Sequence, residues 1–186
     1  MQLGRLLLRA VVGEVFVVHG TQKLFGWFGG YGPAGTGQFF ESLGLRPGRR
    51  NAVAAGVTET TGGVLIAAGL ATPAAAAGLT AVMITALRTA IWKDGIKPAT
   101  GEFEMLLAAG ALALADLGPG PWSLDAALGR ERHGLGWALA ALGAGAAGSA
   151  MAIEAGRRQP QPPPEPEATP AEAATAGAAA GLTRRG

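Results

Sequence analysis

Five ionisable residues stand where a chain this apolar has least room for charge: His19, Lys23, Glu59, Arg88 and Glu104. An imidazole, two carboxylates and two cations can accept and pass on protons, or pair with the polar end of a small molecule. His19 and Lys23 lie four apart, one helical turn, and so share one side of a helix. The stretch they belong to, HGTQKLFGWFGG, then breaks into Phe25, Trp27 and Phe28 between glycines, with Tyr31 close behind and Phe39 and Phe40 further on. Aromatic rings gather at membrane–water interfaces. This run is expected to lie there as a cover over a pocket built from the five.

Other chemistries are excluded or left without support. Of 186 residues, 49% are hydrophobic and 15% charged, against about 25% charged in soluble domains. Net charge is +2, and no clustered Lys/Arg stripe offers a nucleic acid a footprint. The absence of cysteine excludes disulfides, a CxxC redox pair and thiolate metal ligation. Any electrons must therefore be carried by another molecule. His19 and His133 sit on distant segments, a poor basis for haem, and the spacing specifies no metal site. Gly29, Gly30 and Gly32 lack the Lys-Ser/Thr of a phosphate loop. Catalysis by the isolated chain is not expected.

A membrane-crossing helix needs about 20 mainly apolar residues. Segments 3–23, 51–70, 73–92 and 102–117 supply four spans, the last one short. Residues 134–153, without a charge, supply a fifth. The first segment is interrupted by Arg9 and Glu14 and has no cleavage motif after it, so it reads as a retained helix and not as a signal peptide. The expected fold is all-α: a polytopic membrane four-helix bundle over 1–128, in contact with the lipid bilayer. A connector and fifth transmembrane helix follow over 129–156, then a disordered Pro/Ala-rich tail over 157–186. Residues 24–50 read as one long interfacial loop.

At 100° per residue, Arg5, Arg9, His19 and Lys23 fall within an arc of about 120° on the first helix, together with Gly13 and Gly20. Glu14 points elsewhere. Glu59 shares its face with Ala52, Ala55, Gly56, Gly62 and Gly63, Arg88 with Ala77, Ala81 and Thr85, and Glu104 with Ala108, Ala111 and Ala115. Small residues let membrane helices approach closely, so each span aims a charge at a close-packed seam. Alternating helix directions then gather His19, Lys23, Glu59, Arg88 and Glu104 in one half of the bundle as ligand-binding candidates. Arg5, Arg9, Asp116 and Asp125 gather at the other end as a structural cluster. The expected ion pairs are Arg9 with Asp116 and Arg88 with Glu104.

The segments LLLRAVVGEVFVVHGTQKLFGWFGG at 6–30, ETTGGVLIAAGL at 59–70 and GEFEMLLAAGALALADLGPGPWSLD at 101–125 resemble, in that order, the DoxX family of small bacterial membrane proteins. The resemblance covers about residues 3–128. It implies that Arg9, His19, Gly20, Lys23, Glu59, Gly63, Glu104, Ser123 and Asp125 occupy positions where relatives keep those residue types. Relatives often carry a histidine near the position of Ile91, and this chain has none there. The resemblance further implies a multi-pass protein of the bacterial plasma (inner) membrane, a subunit or anchor of a redox or oxidative-stress complex. Redox-enzyme partner proteins and a quinone ligand go with that reading. A small-solute transporter using the same cluster, or a non-catalytic scaffold, stays open, as does a homo-oligomer.

Overall fold

The computed structural model describes residues 2–93, 95 and 100–159. The tail expected over 157–186 lies outside them beyond residue 159. The chain forms α1 (Gln2–Phe25), a single 3-10 turn (Trp27–Gly29), α2 (Gly32–Ser42), α3 (Gly48–Ala68) and α4 (Thr72–Ala86), which widens into a π turn (Leu87–Ile91). Then come α5 (Glu102–Leu117), the short α6 (Leu124–Ala127) and α7 (Leu135–Arg157). No strand occurs among the described residues.

The stretch Thr72–Ile91 and α7 are long and apolar enough to cross a membrane. At 1.5 Å per residue they extend about 30 and 34 Å, the thickness of the hydrocarbon core. The fold is that of an all-α membrane protein. α1 and α3 match these lengths but carry charges, and α5 is a turn shorter.

Burial explains how charged helices can stand in such a bundle. α1 packs on α3, α3 on α4, and α4 on both α5 and α7. Phe16, Ile66, Leu79 and Leu114 are fully buried where these helices meet. The α1–α3 contact runs along glycines spaced seven apart on both partners, Gly13 and Gly20 against Gly56 and Gly63. A Cβ on Gly63 would stand 2.7 Å from the Gly13 carbonyl oxygen, and one on Gly13 2.7 Å from the Ala67 Cβ. The two backbones are in contact, the arrangement that small residues permit in lipid, where hydrophobic burial no longer drives helices together. That proximity brings the end of α1 alongside the middle of α3.

Two features depart from the sequence expectation. Residues 24–50 are not one loop but contain α2. GPAGTG reads as turn because of its glycines, yet Pro33 in the first turn is a helix-start signal, since proline's fixed φ and missing N–H suit that position. The π turn is likewise not foreseen; it widens the last turn of the helix by one residue. The fifth segment is a helix that continues to Arg157.

The glycine seam generates the first prediction. Gly63→Leu should lower the thermal midpoint of the purified protein by several degrees, because overpacking costs about 1–3 kcal/mol. Gly143, with nothing within 4 Å of a Cβ, should accept alanine without loss. Equal midpoints for Gly63→Leu and wild type would contradict the seam.

Candidate ligand-binding site

A cavity of about 500 Å³ opens between α1, α2, α3, α4, α5 and α7. His19, Lys23, Glu59 and Glu104 all line it. Its walls are otherwise mostly apolar: Phe16 from α1, Phe39 and Phe40 from α2, Met83 from α4, Phe103 from α5 and Ala152 from α7.

The chemistry centres on one ion pair. Lys23 Nζ lies 2.7 Å from Glu59 Oε2, with the Glu59 side chain 2% exposed and that of Lys23 19%. Nζ also donates to the His19 carbonyl oxygen at 3.4 Å. Glu59 Oε2 has no further hydrogen-bond partner among the described residues. An ammonium group has three donors and a carboxylate about four acceptor positions, so this pair keeps capacity in hand at the cavity wall. One turn back, the His19 ring packs against Phe103, centroids 5.6 Å apart and tilted by 39°. His19 stands in the opposing fields of Lys23 and Glu104.

The structure brings four of the five candidates together and leaves out the fifth. Arg88 is exposed and does not line the cavity, and it forms no ion pair with Glu104. The face that Arg88 shares with Ala77, Ala81 and Thr85 is turned towards α7, where Thr85 Oγ1 donates to Ser149 Oγ at 3.0 Å, while Thr89, Ala90 and Ile91 of the π turn line the cavity. Thr89 Oγ1 donates to the Thr85 carbonyl at 2.8 Å, which satisfies its hydroxyl within the widened turn. The aromatic cover does not form from the expected residues. Phe25, Trp27, Phe28 and Tyr31 are exposed by 57–84% and lie away from the cavity. Phe39 and Phe40, at the C-terminal end of the unforeseen α2, line it instead.

The opposite end is closed. Arg9, 3% exposed, donates to the carbonyls of Ile66 (3.2 Å), Ala67 (2.6 Å), Pro119 (2.8 Å) and Trp122 (2.9 Å). Arg5 donates to the Leu117 carbonyl at 3.0 Å. Asp125 accepts from the amides of Ala71 (3.0 Å) and Thr72 (3.3 Å). It thereby caps α4 and holds Ala71 in a left-handed conformation with φ 48°. Ser123 caps α6 by accepting from the Ala126 amide. Gly69, at φ 64°, ends α3, and any Cβ there would collide with the Arg9 guanidinium. The expected pair of Arg9 with Asp116 does not form. Asp116 is exposed, and backbone carbonyls satisfy Arg9 without it, because helix ends present unpaired acceptors.

A double-mutant cycle tests the coupling of Lys23 and Glu59. Lys23→Met or Glu59→Leu alone leaves a buried charge unmatched and should cost about 3 kcal/mol. The double variant should be more stable than either single one by chemical denaturation in detergent. Additive losses would show that the two side chains do not interact.

Comparison with known proteins identifies the family. Residues 4–92 match the DoxX family. A protein of Bacillus subtilis (strain 168) named "Putative oxidoreductase CatD" is 36% identical over 124 residues, 67% of this chain and 86% of that protein. No solved structure matches. The matched family, the long relative and the apolar helices that enclose the charged seam together make this chain a member of the DoxX family.

Proposed function

We propose that this protein is a multi-pass plasma-membrane subunit of a redox or oxidative-stress complex, and that its cavity receives a quinone. The observation that carries the reading is a mostly apolar chamber with Lys23 in its wall, backed by the buried carboxylate of Glu59. Ligand sites of this kind have a volume of about 300–1,000 Å³ and a few convergent polar groups. The similarity to a protein bearing the name oxidoreductase supports a redox setting, and the lack of cysteine requires a carrier from outside the chain.

The residues present fit such a group. Lys23 offers an ammonium donor to a carbonyl oxygen, and His19 offers a ring nitrogen one turn away. Glu59 and Glu104 offer carboxylates that accept a hydroxyl proton. Phe16, Phe39, Phe40 and Phe103 give an aromatic ring flat surfaces to lie against. A quinone, when bound, would supply the electron exchange. The chain's own contribution is to orient the head group, keep bulk water away and hold protons at the two carboxylates and the imidazole. Redox-enzyme partner proteins would complete the electron path.

The test is equilibrium binding of a short-chain quinone analogue to the protein in lipid nanodiscs. Wild type should bind, Glu59→Gln and His19→Ala should bind at least tenfold more weakly, since a lost charge-assisted hydrogen bond is worth about 1.5–3 kcal/mol, and Arg88→Ala should match wild type. Unchanged affinity in both cavity variants would refute the proposal.

A further inference from the structure

The cavity extends well beyond its charged groups. Its wall on α4 runs from residue 78 to residue 91, about 20 Å at 1.5 Å per residue, far more than one ring occupies. His19, Lys23 and Glu104 stand on its α1 and α5 side. The other side is an arm walled by Ala54 and Thr58 of α3, Gly78 and Ala81 of α4, and Gly148 and Ala152 of α7. Hydroxyl groups along this arm are already engaged: Thr58 Oγ1 donates to the Ala54 carbonyl at 2.9 Å and Thr85 Oγ1 to Ser149 Oγ at 3.0 Å. Apart from Asn51 at the start of α3, this wall offers a ligand no charge and no spare proton. Its small side chains leave room for a narrow apolar chain.

We propose that the arm opens sideways into the bilayer between α3 and α7 and holds the apolar chain of a long-tailed quinone, which therefore enters from lipid and not from water. Four residues lining the cavity are exposed: Phe39, Ala54, Phe103 and Ala152. Phe103 packs on His19 at the α5 side. Ala54 and Ala152 form lips on α3 and α7, helices that each pack on α4 and leave it as the floor between them. Towards the water this gap is bridged. A Cβ on Gly156 of α7 would stand 2.7 Å from the Gly44 carbonyl oxygen and 3.1 Å from the Arg46 backbone nitrogen. The segment leading into α3 thus lies directly on the end of α7, and its Leu43 and Leu45 line the cavity. The floor and one lip belong to the two stretches long and apolar enough to cross a membrane, which sets the opening against hydrocarbon. A chain that passes from lipid into the arm exchanges one apolar surrounding for another, so the arm selects by room and not by attraction. The identity of the chain's owner rests on the quinone reading of the head-group site; the opening itself does not.

The test compares two quinone analogues with the same head group, one without a chain and one with a decyl chain, in lipid nanodiscs. Ala54→Phe and Ala152→Phe, at exposed positions that tolerate bulk, should weaken binding of the decyl analogue about tenfold or more and leave the chainless one unchanged. Binding of the chainless analogue to wild type and Glu59→Gln reports on the head-group site by itself, so failure there is separate from failure of the arm. A photoreactive decyl chain with a plain alcohol head probes the arm without any quinone. It should label residues 78–85 of α4 saturably in wild type and several-fold less in Ala152→Phe. Equal affinity of the decyl analogue for wild type and both lip variants would overturn the proposal. So would labelling confined to outward positions such as Leu106 on α5, 71% exposed.

Discussion

A charge carried into a low-dielectric interior must be met by an opposite charge or by enough hydrogen bonds to replace water. That constraint shapes this molecule more than any other. Arg9, Lys23, Glu59 and Asp125 all sit inside the bundle or nearly so, and each is met differently. Lys23 and Glu59 meet each other. Arg9 meets four backbone carbonyls, and Asp125 two amides at a helix start. All these solutions need backbones at close range. The glycines of α1 and α3 provide the first, and Gly69 makes room for the second.

The two polar ends differ in how completely they are used. Four of the five N–H donors of Arg9 are spoken for, and Asp125 holds a strained turn in place, so that end ties α1, α3, α4 and the segment before α6 together. It has nothing left to offer a ligand, and the neighbouring hollow between Leu6, Arg9 and Trp122 is only about 10 Å³. At the other end Lys23 and Glu59 satisfy each other but face a cavity, and His19 and Glu104 stand beside them. The first cluster is a clasp. The second has the spare donors and acceptors that a binding site requires.

The helical wheel made much of this legible. His19 and Lys23 shared an arc with Gly13 and Gly20, Glu59 shared a face with Gly56 and Gly63, and small residues had to be where helices meet. The Lys23–Glu59 contact follows from those two facts and the antiparallel course of neighbouring helices. Arg88 escapes the same logic because its small-residue face, Ala77, Ala81 and Thr85, packs towards α7, and a wheel does not say which neighbour a small face meets. Charges alone suggest Asp116 as the partner of Arg9; the carbonyls that accept from it are invisible in a sequence. α2 was hidden by its glycines, and with it the placement of Phe39 and Phe40.

The central claim is that the Lys23–Glu59 pair and its cavity form a binding site and not merely a packing device. The most direct measurement is native mass spectrometry of the protein released from its own membrane in mild detergent, wild type beside Glu59→Gln. The account predicts a bound organic molecule of defined mass on wild type, redox-active after extraction and absent from the folded Glu59→Gln variant. Wild type carrying only bulk phospholipid, or the same molecule retained by both forms, would contradict it.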